Sequence, residues 1–120
     1  MANILEESAF DPAAYRGELD DPDEAVGTRL LLENERVRVW EIRLEPGERA
    51  PFHRHDLPYF WSCVEAGTAR QRFADGAMLV RQYRVGETEF SDHSADDVKV
   101  HDLENAGGTT LRFVTVELTG

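Results

Sequence analysis

Gly47–Gly67 reads GERAPFHRHDLPYFWSCVEAG, and this stretch decides what fold and chemistry to expect of the chain. It holds two of the four histidines, His53 and His55, spaced two apart. Successive side chains of a β-strand alternate faces, so both imidazoles leave the strand on one side. Two neutral imidazoles directed into one space, joined by a third from elsewhere, can hold a transition metal. The pair alone is a weak signal, because exposed histidines also fall two apart by chance. It gains force only if a distant strand supplies the third ligand and the chain around it closes into a barrel.

Working outward, the barrel is readable. Tyr59–Glu65 is an apolar run with both faces filled, ended by Ala66-Gly67. Upstream, Arg29–Glu33 and Arg36–Leu44 are rich in Val, Ile, Leu and Trp and close on the turn Glu45-Pro46-Gly47, which reads as two strands. In the second, Val37 and Val39 share one face and Trp40, Ile42 and Leu44 the other. Such a strand is either covered on both sides or switched in phase by a bulge. Downstream, Ala69–Phe73 and Ala77–Val85 flank Asp75-Gly76, the strongest hairpin signal in the chain. Glu87–Ser91, Val98–Leu103 and Leu111–Leu118 complete the strands, with an acidic loop, Asp92–Asp97, between the first two. Many short strands with closely spaced turns, and no long helix, predict an all-β barrel or sandwich.

Residues 1–27 differ. They carry eight acids and one arginine, and so most of the formal net charge of −11. This acidic N-terminal extension reads as mobile, or as ordering only against the domain or a partner subunit, with Ile4, Leu5, Phe10 and Tyr15 as anchors. A short helix near Pro12–Gly17 is expected, capped by Asp11. Residues 28–120 are expected to form the single domain. The acidic balance argues against nucleic acid or an anionic membrane surface as partner. No apolar run approaches a membrane span and no signal-peptide pattern is evident, so a cytoplasmic location is expected. The lone Cys63 reads as a small buried hydrophobe. Lys99, the single lysine among the cations, reads as exposed.

The third imidazole is His101, in the strand-like Val98–Leu103, with Asn105 four residues on. Here the sequence resembles the cupin superfamily, whose first motif reads G-x5-H-x-H-x3,4-E-x6-G and whose second ends in H-x3-N. Gly47, His53, His55 and Gly67 match the first in spacing; His101 and Asn105 match the end of the second. The lead-in from Gly27 to Trp40 is similar to small single-domain cupins, some labelled β-alanine degradation proteins. The resemblance implies a double-stranded β-helix, a jelly-roll-like barrel on whose interior His53, His55 and His101 converge as metal ligands.

Two departures matter. The motif's glutamate is absent: Tyr59 and Phe60 stand at its two possible positions, as candidate pocket residues. A neutral phenol binds a divalent ion poorly. The second motif's opening is also altered, with Ser91, Asp92 and His93 in place of its Pro and Gly. What remains is a three-histidine centre with no anionic protein ligand. The full charge stays on the ion, and positions stay open for water, a bidentate substrate or dioxygen. Iron(II) is the favoured metal, with zinc, nickel or manganese fitting the same ligands. The expected function is a dioxygenase-like metal-dependent enzyme acting on a small organic acid or dicarbonyl; an isomerase or lyase is a further possibility. The alternative is a non-catalytic module that binds a small ligand and uses the metal as a structural clip.

His93, in its acidic loop, reads as solvated. Asp56 reads either as a partner to an imidazole or as a turn cap. Asn105 is expected to serve the turn after its strand, and Arg54 to point away from the ligands. One of Arg70, Arg72, Arg81 and Arg84 could face inward to meet an acidic substrate. Leftover apolar strand surface predicts a homodimer.

Overall fold

Turn chemistry sets the strand boundaries. The Asp75-Gly76 turn carries Gly76 at φ 95°, a left-handed conformation open to glycine at little cost. The computed structural model describes residues 3–92 and 98–120. Ten strands are seen there: β1 (Asn3–Ala9), β2 (Arg29–Glu33), β3 (Val37–Leu44), β4 (Arg49–His55), β5 (Tyr59–Glu65), β6 (Gly67–Arg72), β7 (Ala77–Tyr83), β8 (Thr88–Ser91), β9 (Lys99–Asn105) and β10 (Leu111–Leu118). They form two five-stranded antiparallel sheets, ordered β1-β7-β6-β9-β4 and β2-β3-β10-β5-β8.

Period-two patterning places the core between the sheets. On β10, Leu111 and Phe113 point inward and are buried, as are Ile42 and Leu44 on β3. With Ala50, Cys63, Ala69, Tyr83 and Leu103 they form the core cluster. β3 pairs with β10 in unbroken register from Leu44↔Leu111 to Val37↔Leu118, so no bulge changes its phase there. Val37 and Val39 are half-buried on its other face.

The acidic N-terminal segment is ordered against the barrel. β1 pairs with β7 at a sheet edge, although every residue of β1 is exposed. A 3-10 turn (Pro12–Tyr15) follows, capped by Asp11, whose side chain accepts from Ala13 N at 3.0 Å. It leads into α1 (Arg16–Asp20), which crosses β4. Phe10 stacks on Phe52 and Tyr15 meets the same ring edge-on, with centroids 6.1 and 5.5 Å away. Ile4 and Leu5, the other two expected anchors, remain about half exposed, because an edge strand offers them no second layer. The segment then runs beside β4 in parallel. Asp23 N donates to the Phe52 carbonyl at 3.0 Å, and Arg54 N donates to the Asp23 carbonyl at 2.9 Å. Val26 ends fully buried. Gly27 makes this approach feasible: a Cβ there would stand 2.6 Å from Trp40 Cβ and 2.8 Å from the Glu41 carbonyl oxygen.

Beneath this segment, the outer face of β4 and β9 is charged. Asp102, with no exposed surface, accepts from Arg49 Nε at 2.7 Å, from Arg72 Nη1 at 2.9 Å and from Arg72 N at 2.7 Å. Glu18 of α1 takes both Arg49 Nη atoms, at 2.6 and 3.0 Å, and the Phe52 amide at 2.9 Å. Two buried-facing charges of each sign are thereby paired and hydrogen-bonded.

Candidate metal centre

β4 would not present both Ala50 and His53 inward if it were regular, since they are three apart. A bulge between them absorbs the extra residue: Ala50 pairs with Leu103 and His53 with His101. Ala50 therefore joins the core while His53 and His55 enter the space above it, and Phe52 and Arg54 face outward. Arg54 is exposed, as alternation requires.

The three imidazoles meet across the β4–β9 pair. His53 stands directly opposite His101 in register, and all three rings are nearly buried. Their centroids lie 4.6–5.0 Å apart. One ligand nitrogen from each falls within 4.8 Å of the others, a group that could hold a metal ion. Hydrogen bonding fixes which nitrogens turn inward. His53 Nδ1 lies 2.9 Å from the Pro51 carbonyl oxygen and His101 Nδ1 lies 3.0 Å from Gln71 Oε1. Both partners only accept, so each Nδ1 keeps its proton and each Nε2 carries a lone pair. Gln71 is itself oriented, donating a short hydrogen bond from Nε2 to the Tyr83 hydroxyl. His55 Nε2 sits 3.1 Å from His101 Nε2, a pair of nitrogens that can share one proton or, without it, one cation. Burial holds His53 below its ordinary value of 6.5, favouring the neutral ring that a ligand must be.

Around the imidazoles is a cavity of about 70 Å³, walled by Val26, Tyr59, Trp61, Phe113 and Thr115 among others. Tyr59 stacks on His55 with centroids 4.0 Å apart. Burial pushes its phenol up to about 12, so it is a proton-bearing group rather than an anionic ligand. Phe60 does not line the cavity. Neighbouring residues on β5 alternate, so Tyr59 and Trp61 face in while Phe60 faces out, opposite Phe90 and Val116 in the register.

Lys99 also departs from expectation. It is half-buried and lines the cavity, because it shares the inner face of β9 with His101 and stands opposite His55. Burial lowers its pKa. Of the four arginines, Arg81 is the one that reaches the cavity, paired with Glu89 at 2.8 Å. Among the described residues Asp56 makes a 3.9 Å ion pair with the exposed Arg54; the Pro51 carbonyl and Gln71 hold His53 and His101 instead. Gln71 belongs to no motif and lies thirty residues from His101, so only the sheet order reveals it. Asn105 braces the following turn, donating to the Leu44 and Thr109 carbonyls and accepting from Gly107 N. Cys63 is buried and its thiol is pushed up to about 11, in keeping with a packing role. His93 lies outside the described residues.

No protein-family model and no curated protein matches the chain. Solved structures do. A cupin domain from Bordetella pertussis superposes with TM-score 0.67 and 26% identity, covering 82% of this chain and 96% of that one. An uncharacterized protein with a double-stranded β-helix domain from Klebsiella pneumoniae gives TM-score 0.60 and 22% identity over 92% and 84%. A predicted oxalate decarboxylase from Thermotoga maritima gives TM-score 0.53 and 21% identity over 74% and 76%. Strand order, pairing and these superpositions agree: the chain adopts the double-stranded β-helix and is a member of the cupin superfamily.

Proposed function

We propose that the chain is a metal-dependent cupin enzyme, with His53, His55 and His101 holding a divalent ion. Its substrate is a small organic acid or dicarbonyl, and dioxygen-dependent chemistry on iron(II) is the leading reaction. The observation that carries this reading is the inward set of three nearly buried imidazoles, two of them held in the metal-ready tautomer by the Pro51 carbonyl and Gln71. A bound divalent ion would act as a Lewis acid toward oxygen donors and, as iron, as a redox centre.

The chain's own residues support such work. Val26, Trp61 and Phe113 limit water at the imidazoles, and the Tyr59 phenol holds a proton beside His55. The cavity suits a molecule of a few heavy atoms. The likeness to small cupins labelled β-alanine degradation proteins, and to a predicted oxalate decarboxylase, is in keeping with an acid of that size. A homodimer also fits, since β2 is an edge strand with Leu30, Leu31 and Leu32 exposed; light scattering tests it.

Elemental analysis of the purified protein is the first test. We expect one equivalent of a divalent transition metal, lost in His53→Ala and His101→Ala; retention in both variants would overturn the assignment. Iron-loaded protein should then consume oxygen when offered small acids. The missing motif glutamate favours a second reading, a ligand-binding module with a structural metal. It predicts a melting temperature that falls on chelation with no turnover under any metal.

A further inference from the structure

Two cations line the cavity, and they are not equivalent. The Arg81 guanidinium is engaged with Glu89 at 2.8 Å and lies over the Tyr83 ring, 4.9 Å from its centroid. Lys99 Nζ donates to the Tyr59 hydroxyl at 3.3 Å and sits 5.8–6.0 Å from the Phe73 and Tyr59 centroids. Among the described residues no carboxylate lies within ion-pair distance of it. An ammonium has three donors, and the described contacts use one. Glu89 lines the same cavity and attracts the ammonium through space, but its carboxylate is held by Arg81. A cation drawn out of bulk water without a carboxylate in contact costs free energy, which an anionic ligand returns and a neutral one does not. The same residue shares the inner face of β9 with His101 and stands opposite His55, so a molecule touching it also faces the imidazoles.

We propose that Lys99 determines specificity: it binds a carboxylate of a small mono- or dicarboxylic acid whose remaining oxygens are turned toward His53, His55 and His101. The second half of this statement rests on the metal-centre reading; the contact between Lys99 and the carboxylate does not. Tyr59 steadies the ammonium through its hydroxyl, and the cavity of about 70 Å³ restricts the acid to a few heavy atoms. A charge-assisted hydrogen bond in such surroundings discriminates against an isosteric amide, which offers no negative charge.

The test is a calorimetric titration of the full chain with malonate and with malonamide, on chelator-treated and on zinc-loaded protein. Wild type should bind malonate at least about tenfold more tightly than malonamide in both states. On chelator-treated protein, Lys99→Met should bring the two ligands to within about threefold of each other, while the zinc content of the loaded variant stays at the wild-type level. Lys99→Gln, which keeps a donor without the charge, serves as the second variant and should behave alike. Equal binding of the two ligands by wild type, or an undiminished malonate preference in either folded variant, would overturn the proposal. A chain that prefers malonate through Lys99 but takes up no zinc would sink the metal-centre reading and leave this one standing.

Discussion

The two faces of the β4–β9 pair solve opposite problems with neighbouring residues. On the outer face Arg49, Asp102, Arg72 and Glu18 are charged, paired and covered by the N-terminal segment. On the inner face His53, His55 and His101 are nearly buried, with His55 Nε2 and His101 Nε2 3.1 Å apart, and burial favours the neutral form of His53. Outside, every charge is answered within the chain, and the result is attachment. Inside, three imidazoles and one ammonium line a cavity large enough for a small molecule. Polar groups paired in contact hold structure; those that line a cavity are also placed to meet a ligand.

The outer face should break first. Asp102→Ala leaves Arg49 and Arg72 without their shared buried carboxylate and should cost about 3–5 kcal/mol in chemical denaturation. A loss under about 1 kcal/mol would show that the network adds nothing to the fold. The inner face should respond in affinity more than in stability. Gln71→Leu removes the acceptor that sets the His101 tautomer and should weaken zinc binding by about 10- to 100-fold in chelator competition. An affinity within about twofold of wild type would mean that the amide is a bystander.

The smallest effect is at the seam. Glu18→Gln gives up a partly exposed bidentate pair and should cost about 1 kcal/mol. The Arg49 hydrogen bond holds the Glu18 carboxyl below its ordinary 4.5, so the folded state binds its proton less readily than the unfolded one. Its stabilisation is therefore complete above 4.5 and is lost as pH falls through the lower folded value. Amide exchange of residues 3–20 should accelerate over that acid range in wild type and show little further pH response in Glu18→Gln. Identical acid profiles for the two proteins would disprove the link.

Much of the inner face is legible in the sequence because period two and a long-range motif both bear on it. His53 and His55 share a face by spacing, and His101-x3-Asn105 supplies the distant strand. The two neighbours misjudged there, Phe60 and Lys99, illustrate the limit of that reading. Both orientations follow from alternation only once the inward phase of β5 and β9 is known, and the register against β10 and β4 supplies it. Gln71 needed the adjacency of β6 and β9, which no local pattern encodes. The outer face was less legible still. β1 has no buried residue and hence no apolar period, and the Glu18–Arg49 pair joins residues thirty-one apart through a helix of one turn and a half. An acidic segment that looks unattached as a string is held by partners whose signals are single arginines.

The bulge between Ala50 and His53 has a consequence for how this strand tolerates change. Its two faces behave like alternative reading frames of the same residues, and the bulge is the point at which the frame is set. Pairing the same residues without the bulge would leave the composition of the site untouched. Keeping Ala50 in the core would then rotate every later side chain, aiming Arg54 at the cavity and His53 and His55 at the N-terminal segment. For this strand the pairing between two positions carries as much of the chemistry as the identity of either.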